Sequence, residues 1–260
     1  MKSRVFWSPK GGTGKTTQLI QQFNQLDNVV AFDCDPQADL TFKIGKNPLI
    51  QDIVQSTRAV FHSSPYQITY IPLEEIEPTK YLARGNLKLS VCEQTITATY
   101  LLNLLSNSPQ TIFPCIINSI NDMGITNNQI YSETPNRIKP VDIALIDTNP
   151  NITYLNCHLV MTSDEWFIPL EENTAINTLN LIELILAKYW LSAHKKLCSK
   201  NNLYYPYKTT MPTIVGGSLL SKNLKPESRI EILERWDQFL KSLNIMGIKN
   251  NSHSLSFLEY

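Results

Sequence analysis

Residues 10–17 carry the sequence KGGTGKTT, which combines three glycines with two lysines and three threonines. A nucleoside triphosphate is held when several backbone N–H groups converge on its phosphates, and glycines let the chain approach that closely. In such a loop Lys15 reaches the β- and γ-phosphates, and the Thr16 hydroxyl binds Mg²⁺. The segment therefore predicts a binding loop for ATP and Mg²⁺, made of Lys10, Gly11, Gly12, Thr13, Gly14, Lys15, Thr16 and Thr17.

The loop departs from the general phosphate-loop pattern at one position. The pattern GxxxxGK[ST] has glycine where this chain has Pro9, whereas the narrower form KGGxGKTT fits completely. A short β-type run precedes the loop and a helical stretch follows it, so a simple glycine turn explains the segment poorly. We therefore expect a Mg²⁺-dependent ATP hydrolase.

Three aspartates follow apolar runs and are candidates for the same site. Asp147 comes directly after the run 143–146, where a carboxylate can hold Mg²⁺ through water. Asp33 and Asp35 end another apolar run, so one can support Mg²⁺ hydration and the other can orient the attacking water. For Asp35 the alternative is a helix cap ahead of Pro36.

The loop also contains Lys10, whose role needs a separate explanation. It precedes Lys15 by five residues, so its side chain is expected to point away from the phosphates bound by its own chain. Its charge would serve a nucleotide in a facing subunit. Taken alone, however, a solvated loop lysine is the better explanation.

The elements that must position these residues alternate between strands and helices. Apolar strands that end in Gly, Asp and Thr are typical of an open parallel sheet, in which ligands bind beyond the carboxyl ends of the strands. We predict an α/β fold of the P-loop NTPase type, with a mostly parallel central sheet flanked by helices. The predicted strands are 3–8, 28–32, 142–146, 166–170 and 212–220, and the predicted helices are 16–26, 173–191 and 226–243.

Two of these helices carry apolar stripes that we expect in the core or at a subunit interface. The stripe of helix 173–191 comprises Ile176, Leu179, Ile182, Leu186 and Tyr189, and that of helix 226–243 comprises Ile230, Leu233, Trp236, Leu240 and Leu243.

Length and composition favour one globular domain over residues 1–260, because 42% of the residues are hydrophobic and 18% are charged. Residues 106–140, rich in Asn and Pro, are expected to form a divergent excursion on that domain. The five cysteines include no CxxC pair, which argues against a disulfide framework and a thiolate zinc site. Without an apolar run of about 18 residues or a signal-peptide pattern, a cytoplasmic protein with no membrane contact is expected.

Charge is unevenly distributed along a chain whose formal net charge is zero. Residues 188–249 contain eleven basic and four acidic side chains, whereas residues 1–187 contain an excess of acids. A basic segment of this kind can mark an anionic partner, although a solvated lysine-rich surface gives the same pattern.

Three motifs in order, KGGTGKTT, DCDPQAD at 33–39 and LIDTNP at 145–150, resemble the ParA/MinD family of deviant Walker ATPases. The DPQ sequence is closest to ParA-type partition and cargo-positioning proteins. The resemblance covers residues 1–45 and 140–190 well and residues 210–245 loosely. It implies that Lys10, Lys15 and Asp35 are catalytic, with Lys10 reaching across a nucleotide-sandwich homodimer. It also implies that Asp33 and Asp147 lie around the metal bound by Thr16.

The resemblance also implies partners. Such ATPases dimerise with ATP, bind DNA non-specifically and are released when an adaptor protein on the cargo stimulates hydrolysis. Nucleoid association and movement of a plasmid, a chromosome or a protein compartment are therefore expected, with DNA bound through basic residues in 188–249. The candidates for DNA contact are Lys195, Lys196, Lys222, Lys225 and Arg229.

Some features depart from the family pattern. Asn149 stands where the family usually has Pro, the interval from Asp35 to Asp147 is long, and the final strand and helices after residues 226–243 are expected to be missing.

Three other functions remain as alternatives. A MinD-like membrane-associated ATPase needs a basic amphipathic C-terminal helix, and residues 250–260 are polar and nearly free of basic residues. A metabolic or electron-transfer P-loop enzyme with an iron–sulfur cluster needs suitably placed thiolates. A non-catalytic nucleotide-dependent scaffold would bind ATP without hydrolysing it.

Overall fold

The computed structural model describes residues 1–47, 73–86, 89, 141–199, 210–222, 225–251 and 255–259. The predicted excursion at 106–140 lies outside the described residues.

Nine strands of the described residues form one sheet. They are β1 (Lys2–Phe6), β2 (Val29–Cys34), β3 (Glu74–Glu77), β4 (Lys80–Ala83), β5 (Ile143–Thr148), β6 (Glu165–Glu171), β7 (Thr213–Ser221), β8 (Lys249–Asn250) and β9 (Leu255–Glu259). Seven of them lie in the order β3-β4-β2-β5-β1-β6-β7, and the short strands β8 and β9 both pair in parallel with β7. Only the β3–β4 pair is antiparallel among these pairings.

Helices cover both faces of this sheet. Consecutive residues of a strand point to opposite faces, and accordingly Val5 and Phe6 of β1 belong to two separate hydrophobic clusters. The helices are α1 (Lys15–Gln25), α2 (Asp39–Lys43), α3 (Tyr154–Thr162), α4 (Ala175–Ile185), α5 (Leu191–Ser199) and α6 (Pro226–Ile245). A 3₁₀ turn (Glu172–Thr174) precedes α4, and one π-helical turn (Leu186–Trp190) joins α4 to α5. The predicted α/β fold with a mostly parallel sheet is confirmed.

The middle of the sheet is fully buried where it supports the predicted site. All six residues of β2 are buried, as are five of the six in β5, because helices cover both faces of these parallel strands. Asp33 of β2 pairs in register with Asp147 of β5, and Phe6 of β1 pairs with Asp147 on its other side. The three predicted site segments therefore end at the same edge of the sheet.

A cluster of three tryptophans packs behind the start of the loop. The Trp7 ring lies 5.1 Å from the Trp190 ring and 5.9 Å from the Trp166 ring, measured between centroids. The Trp166 indole N–H also donates a 2.7 Å hydrogen bond to the Val160 carbonyl. These contacts fix the end of β1, from which the loop departs.

The predicted apolar stripes pack in the core along most of their length, and one residue at the end of each is exposed. Tyr189 is 64% exposed, whereas Trp190 is buried. A π-helical turn contains more residues than an α-helical turn, so the face that packs on the core moves on by one position. Ile230 is 59% exposed, since the residues of α6 begin to pack on the core only at Ile232. The buried stripe of α6 is Ile232, Trp236, Phe239, Leu240 and Leu243.

The expectation that no strand follows residues 226–243 is also wrong. After α6 the chain returns along the edge of β7, first as β8 and then as β9. Leu255 at the start of β9 is buried, and the Ser256 hydroxyl donates a 3.0 Å hydrogen bond to the Gly217 carbonyl.

Candidate functional site

The predicted phosphate loop joins β1 to α1. Gly12 and Gly14 have φ angles of 76° and 81°, in the left-handed region that glycine adopts without strain. Gly14 immediately precedes α1 and, as a glycine, has no side chain to cap the N–H groups of the first turn. These backbone donors, together with the positive end of the helix dipole, form an anion-binding site.

A polar cleft of about 240 Å³ lies over this loop. Its walls include every predicted loop residue except Lys10, and they also include Asp35, which follows β2. The remaining walls come from residues that the sequence did not single out, namely Gln37, Asp39, Lys43 and Pro150. Asp39 and Lys43 are four residues apart, a spacing that places two helical residues on one face and could have indicated them.

Lys15 is 7% exposed at the base of this cleft. Its Nζ donates a 3.1 Å hydrogen bond to the Lys10 carbonyl, so the ammonium lies against the loop. Burial lowers the pKa of Lys15, while the charges of Asp147, Asp35 and Asp39 oppose that shift. The carboxylates therefore help to keep this lysine charged, as phosphate binding requires.

Asp147 is fully buried beneath the loop and contacts Thr16 directly. The Thr16 hydroxyl donates a 2.8 Å hydrogen bond to Asp147 Oδ2. Asp147 Oδ1 is also buried, and it has no hydrogen-bond partner within the described part of the chain. Burial, followed by the charge of Asp33, raises the pKa of Asp147 to about 8.

This Thr16–Asp147 pair fits a bound Mg²⁺. The cation takes oxygen ligands and commonly uses one or two carboxylates together with substrate phosphates, rather than a cage of protein side chains. Consistently, the described residues contain no cluster of three or more His, Cys, Asp or Glu that could hold a metal by itself. The unpartnered Oδ1 is an acceptor that a metal-bound water can use.

Asp33 accepts hydrogen bonds from α2 and from the turn that precedes it. Its Oδ2 accepts from the Thr41 backbone N–H at 2.9 Å and from the Thr41 hydroxyl at 2.6 Å, and its Oδ1 accepts from the Asp35 N–H at 3.3 Å. Burial is the main cause that raises its pKa to about 6. Asp33 thus anchors α2 beside the cleft, and its predicted place around the metal stays a prediction.

Asp35 lies at the cleft, 5% exposed, and closes a tight turn. Its Oδ1 accepts a 2.9 Å hydrogen bond from the Gln37 N–H. The alternative role as a helix cap does not hold for α2, because Ala38 occupies the cap position. Burial raises the pKa of Asp35, and Lys15 opposes this shift. A second carboxylate oxygen is left for other partners in the cleft.

Lys10 is exposed, and the structure places it off the cleft that Lys15 serves. Its backbone carbonyl accepts hydrogen bonds from Lys15 Nζ and, at 3.5 Å, from the Thr13 hydroxyl. The two lysines of the loop therefore occupy different environments.

The predicted basic residues lie on the surface as far as the structure describes them. Lys195, Lys222, Lys225 and Arg229 are exposed, and the side chain of Lys196 lies outside the described residues. The Arg229 guanidinium carbon lies 4.0 Å from the centroid of the Phe257 ring. In contrast, Arg235 of the same basic segment forms an ion pair with Glu183.

Asn149, which stands where the related motif has Pro, organises the turn after β5. Its Oδ1 accepts hydrogen bonds from the Asn151 N–H at 2.9 Å and from the Asn156 amide at 2.8 Å. This turn places Pro150 against Gly11, at the wall of the cleft.

Comparison with known proteins gives one matching family and one relative of similar sequence. A family model described as an AAA domain matches residues 1–189. Maintenance of carboxysome distribution protein A from Gloeothece citriformis (strain PCC 7424) is 25% identical over 203 residues, 70% of this chain. That match spans 64% of the length of the Gloeothece protein.

Two solved structures share the fold. A Cyanothece McdA variant in complex with ATP has a TM-score of 0.60 at 16% identity, covering 98% of this chain and 84% of that one. A plasmid partition protein from Borrelia burgdorferi has a TM-score of 0.53 at 18% identity, covering 94% and 97%.

No helix within the described residues is both long and apolar enough to span a bilayer.

Proposed function

We propose that this chain, which belongs to the AAA domain family and is of the ParA/MinD type, is an ATP-driven switch that positions a large cargo. In the proposed cycle the ATP-bound chain forms a homodimer, the dimer binds DNA non-specifically, and an adaptor on the cargo stimulates hydrolysis and release. The observation that carries the proposal is the division between the two loop lysines, Lys15 buried in the cleft and Lys10 exposed outside it.

Lys15 and the glycine loop supply what ATP binding requires. Backbone N–H groups and the start of α1 face the cleft, and the Lys15 ammonium lies at its base. When ATP binds, the ammonium exchanges the Lys10 carbonyl for the β- and γ-phosphates, which neutralises charge on the phosphoryl group to be transferred.

Thr16 and Asp147 are the residues that would hold Mg²⁺ bound with ATP. The cation supplies charge neutralisation at the phosphates. Asp147 holds the Thr16 hydroxyl in place through the 2.8 Å hydrogen bond. Asp35 is the residue proposed to orient the attacking water, since its carboxylate lies in the wall of the cleft.

Lys10 is proposed to act on the nucleotide of a second copy. Its exposed side chain is available to a facing subunit. Because each nucleotide would then be contacted by both subunits, dimerisation would depend on the γ-phosphate. Because assembly depends on the bound nucleotide in this way, hydrolysis would dissociate the dimer and release the protein from DNA.

DNA is the proposed binding partner of the dimer, because exposed cations lie on the carboxyl-terminal segment. Lys222, Lys225 and Arg229 follow β7 and begin α6, and phosphate contacts need charge rather than a sequence motif. Nucleoid association follows from this proposal.

The names of the relatives support a positioning role. One acts in carboxysome distribution and another in plasmid partition. A plasmid, a chromosome or a protein compartment are the proposed classes of cargo for this chain. A MinD-like membrane role is less well supported, because residues 255–259 form a strand in the sheet rather than an amphipathic helix.

Light scattering on the purified chain tests the proposal. We expect a dimer with Mg²⁺ and ATP, a monomer with ADP, and DNA binding in the ATP state alone. DNA affinity that is equal with and without ATP would contradict the switch, and a chain that binds no ATP would refute the ATPase itself.

A further inference from the structure

Lys43, on α2, forms part of the cleft wall beside Thr17, the last residue of the loop. Its Nζ lies 3.5 Å from the Thr17 hydroxyl oxygen, a long hydrogen bond that joins α2 to α1. The side chain is exposed and forms part of the cleft wall. Among the described residues no carboxylate lies within ion-pair distance of this ammonium. An unneutralised cation at the mouth of a phosphate-binding cleft favours an anionic ligand.

The position of Lys43 is fixed by buried contacts of α2. Thr41 donates two hydrogen bonds to Asp33, and the Thr41 hydroxyl also accepts a 2.8 Å hydrogen bond from the Gly85 N–H. Leu40, on the same short helix, is fully buried. Because its helix is anchored in this way, the backbone of Lys43 is held beside the cleft by contacts outside the loop, and its side chain contacts Thr17.

Thr17, which Lys43 contacts, indicates which part of a bound nucleotide would lie next to Lys43. Lys15 and Thr16 serve the β- and γ-phosphates and the metal in the proposed function. Thr17 is the next residue of α1, rotated by about 100° around the helix axis. Lys43 and Thr17 therefore flank a part of the cleft away from the γ-phosphate.

We propose that Lys43 is a nucleotide-binding residue which, together with Thr17, contacts a phosphate common to ATP and ADP. This assignment rests on the proposed function, since it requires a nucleotide in this cleft. It gives the chain a lysine that acts in cis from α2, distinct from Lys15 in the loop and from Lys10 on the outer surface.

A purely structural role predicts something different. Lys43 lies in the last turn of α2, where a cation interacts favourably with the helix dipole. In that case replacement of Lys43 would lower the thermal stability of the nucleotide-free chain and leave nucleotide affinity unchanged.

The test compares ATP and ADP affinities, with Mg²⁺ present, by titration calorimetry on the full chain. Lys43→Ala is expected to lower the affinities for ATP and ADP by a similar factor of roughly ten, because a charge-assisted contact is lost. Lys43→Arg, which keeps the charge, should retain most of the affinity. Lys241→Ala is the matched control, because Lys241 is an exposed lysine on α6.

Several results would overturn the assignment of Lys43. These are an unchanged affinity in Lys43→Ala, a loss confined to ATP, an equal loss in Lys241→Ala, or a loss of stability in the nucleotide-free chain alone. Failure of the wild-type chain to bind ATP, or wild-type affinity in Lys15→Ala, would instead overturn the proposed function, and the role of Lys43 with it.

Discussion

The Thr16 hydroxyl donates a 2.8 Å hydrogen bond to Asp147 Oδ2, which joins two residues 131 positions apart in the chain. One belongs to the first turn of α1 and the other to the end of β5. The bond is possible because β1 and β5 are neighbouring parallel strands, with Phe6 and Asp147 in register. It places the proposed metal ligand in contact with the carboxylate that orients it.

Removal of this contact should reduce the dependence of ATP binding on Mg²⁺. In both Thr16→Val and Asp147→Asn, we expect Mg²⁺-dependent ATP affinity to fall about 10- to 100-fold, the usual effect of disturbing a metal ligand or its orienting partner. ATP affinity measured in EDTA should change much less. Loss of both affinities by the same factor would indicate a damaged loop instead of a metal site.

The two loop lysines should separate binding from assembly. In Lys15→Ala, ATP affinity should fall at least about tenfold, because a buried charge-assisted contact is lost. In Lys10→Ala, ATP should bind almost normally, but the ATP-dependent dimer should be absent by light scattering. A Lys10→Ala chain that still dimerises with ATP would contradict the role of Lys10 in a facing subunit.

Stability of the ligand-free chain should fall as pH rises from about 4 to 8. Burial raises the pKa of Asp147 from an ordinary value of 3.8 to about 8, and that of Asp33 to about 6. The folded chain therefore holds protons that the unfolded chain releases in this range, so the free energy of unfolding decreases with pH. Urea unfolding at several pH values measures this slope.

Asp147→Asn is the control for the pH effect. The amide cannot titrate, so the fall in stability between pH 5 and 8 should be smaller than in the wild-type chain. A variant with an unchanged slope would show that Asp147 does not titrate in this range.

Two neighbouring glycines of β7 should differ in their tolerance of a methyl group. A Cβ at Gly217 would lie 2.7 Å from the Trp236 ring and 2.9 Å from the Ile168 carbonyl oxygen, whereas at Gly216 the nearest atom is a Phe167 ring carbon at 3.3 Å. We expect Gly217→Ala to destabilise the fold by about 1–3 kcal/mol, the usual cost of overpacking. Gly216→Ala should cost less. Chemical denaturation of both variants measures the difference, and equal losses would contradict it.

Charge reversal at the start of α6 should weaken DNA binding in the ATP state. Each of Lys222→Glu, Lys225→Glu and Arg229→Glu is expected to reduce affinity across all sequences and to lower the salt slope by about one. Lys2→Glu is the matched control, since its side chain is 72% exposed on β1, outside the basic segment. Equal effects in the control would indicate a response to net charge alone.

The phosphate loop was predictable because its chemistry is local. Glycines at fixed positions, a lysine and two threonines follow one another within eight residues, and the strand and helix on either side are short-range patterns. The parallel sheet was also predictable, since apolar runs that end in polar residues recur along the chain. In the π-helical turn at Leu186–Trp190 the helical spacing changes, so Trp190 is buried and Tyr189 of the predicted stripe is exposed.

The sequence alone determined that a phosphate-binding loop, two acidic segments and a mostly parallel sheet occur together in this chain. The contacts of each acid, by comparison, depend on the tertiary structure. Asp147 meets Thr16 across neighbouring strands, whereas Asp33 bonds to Thr41 and so anchors the helix that brings Lys43 to the cleft. Spacing along a chain fixes the direction of a side chain on its own strand, but the partner it reaches depends on which strands lie side by side and what packs over them.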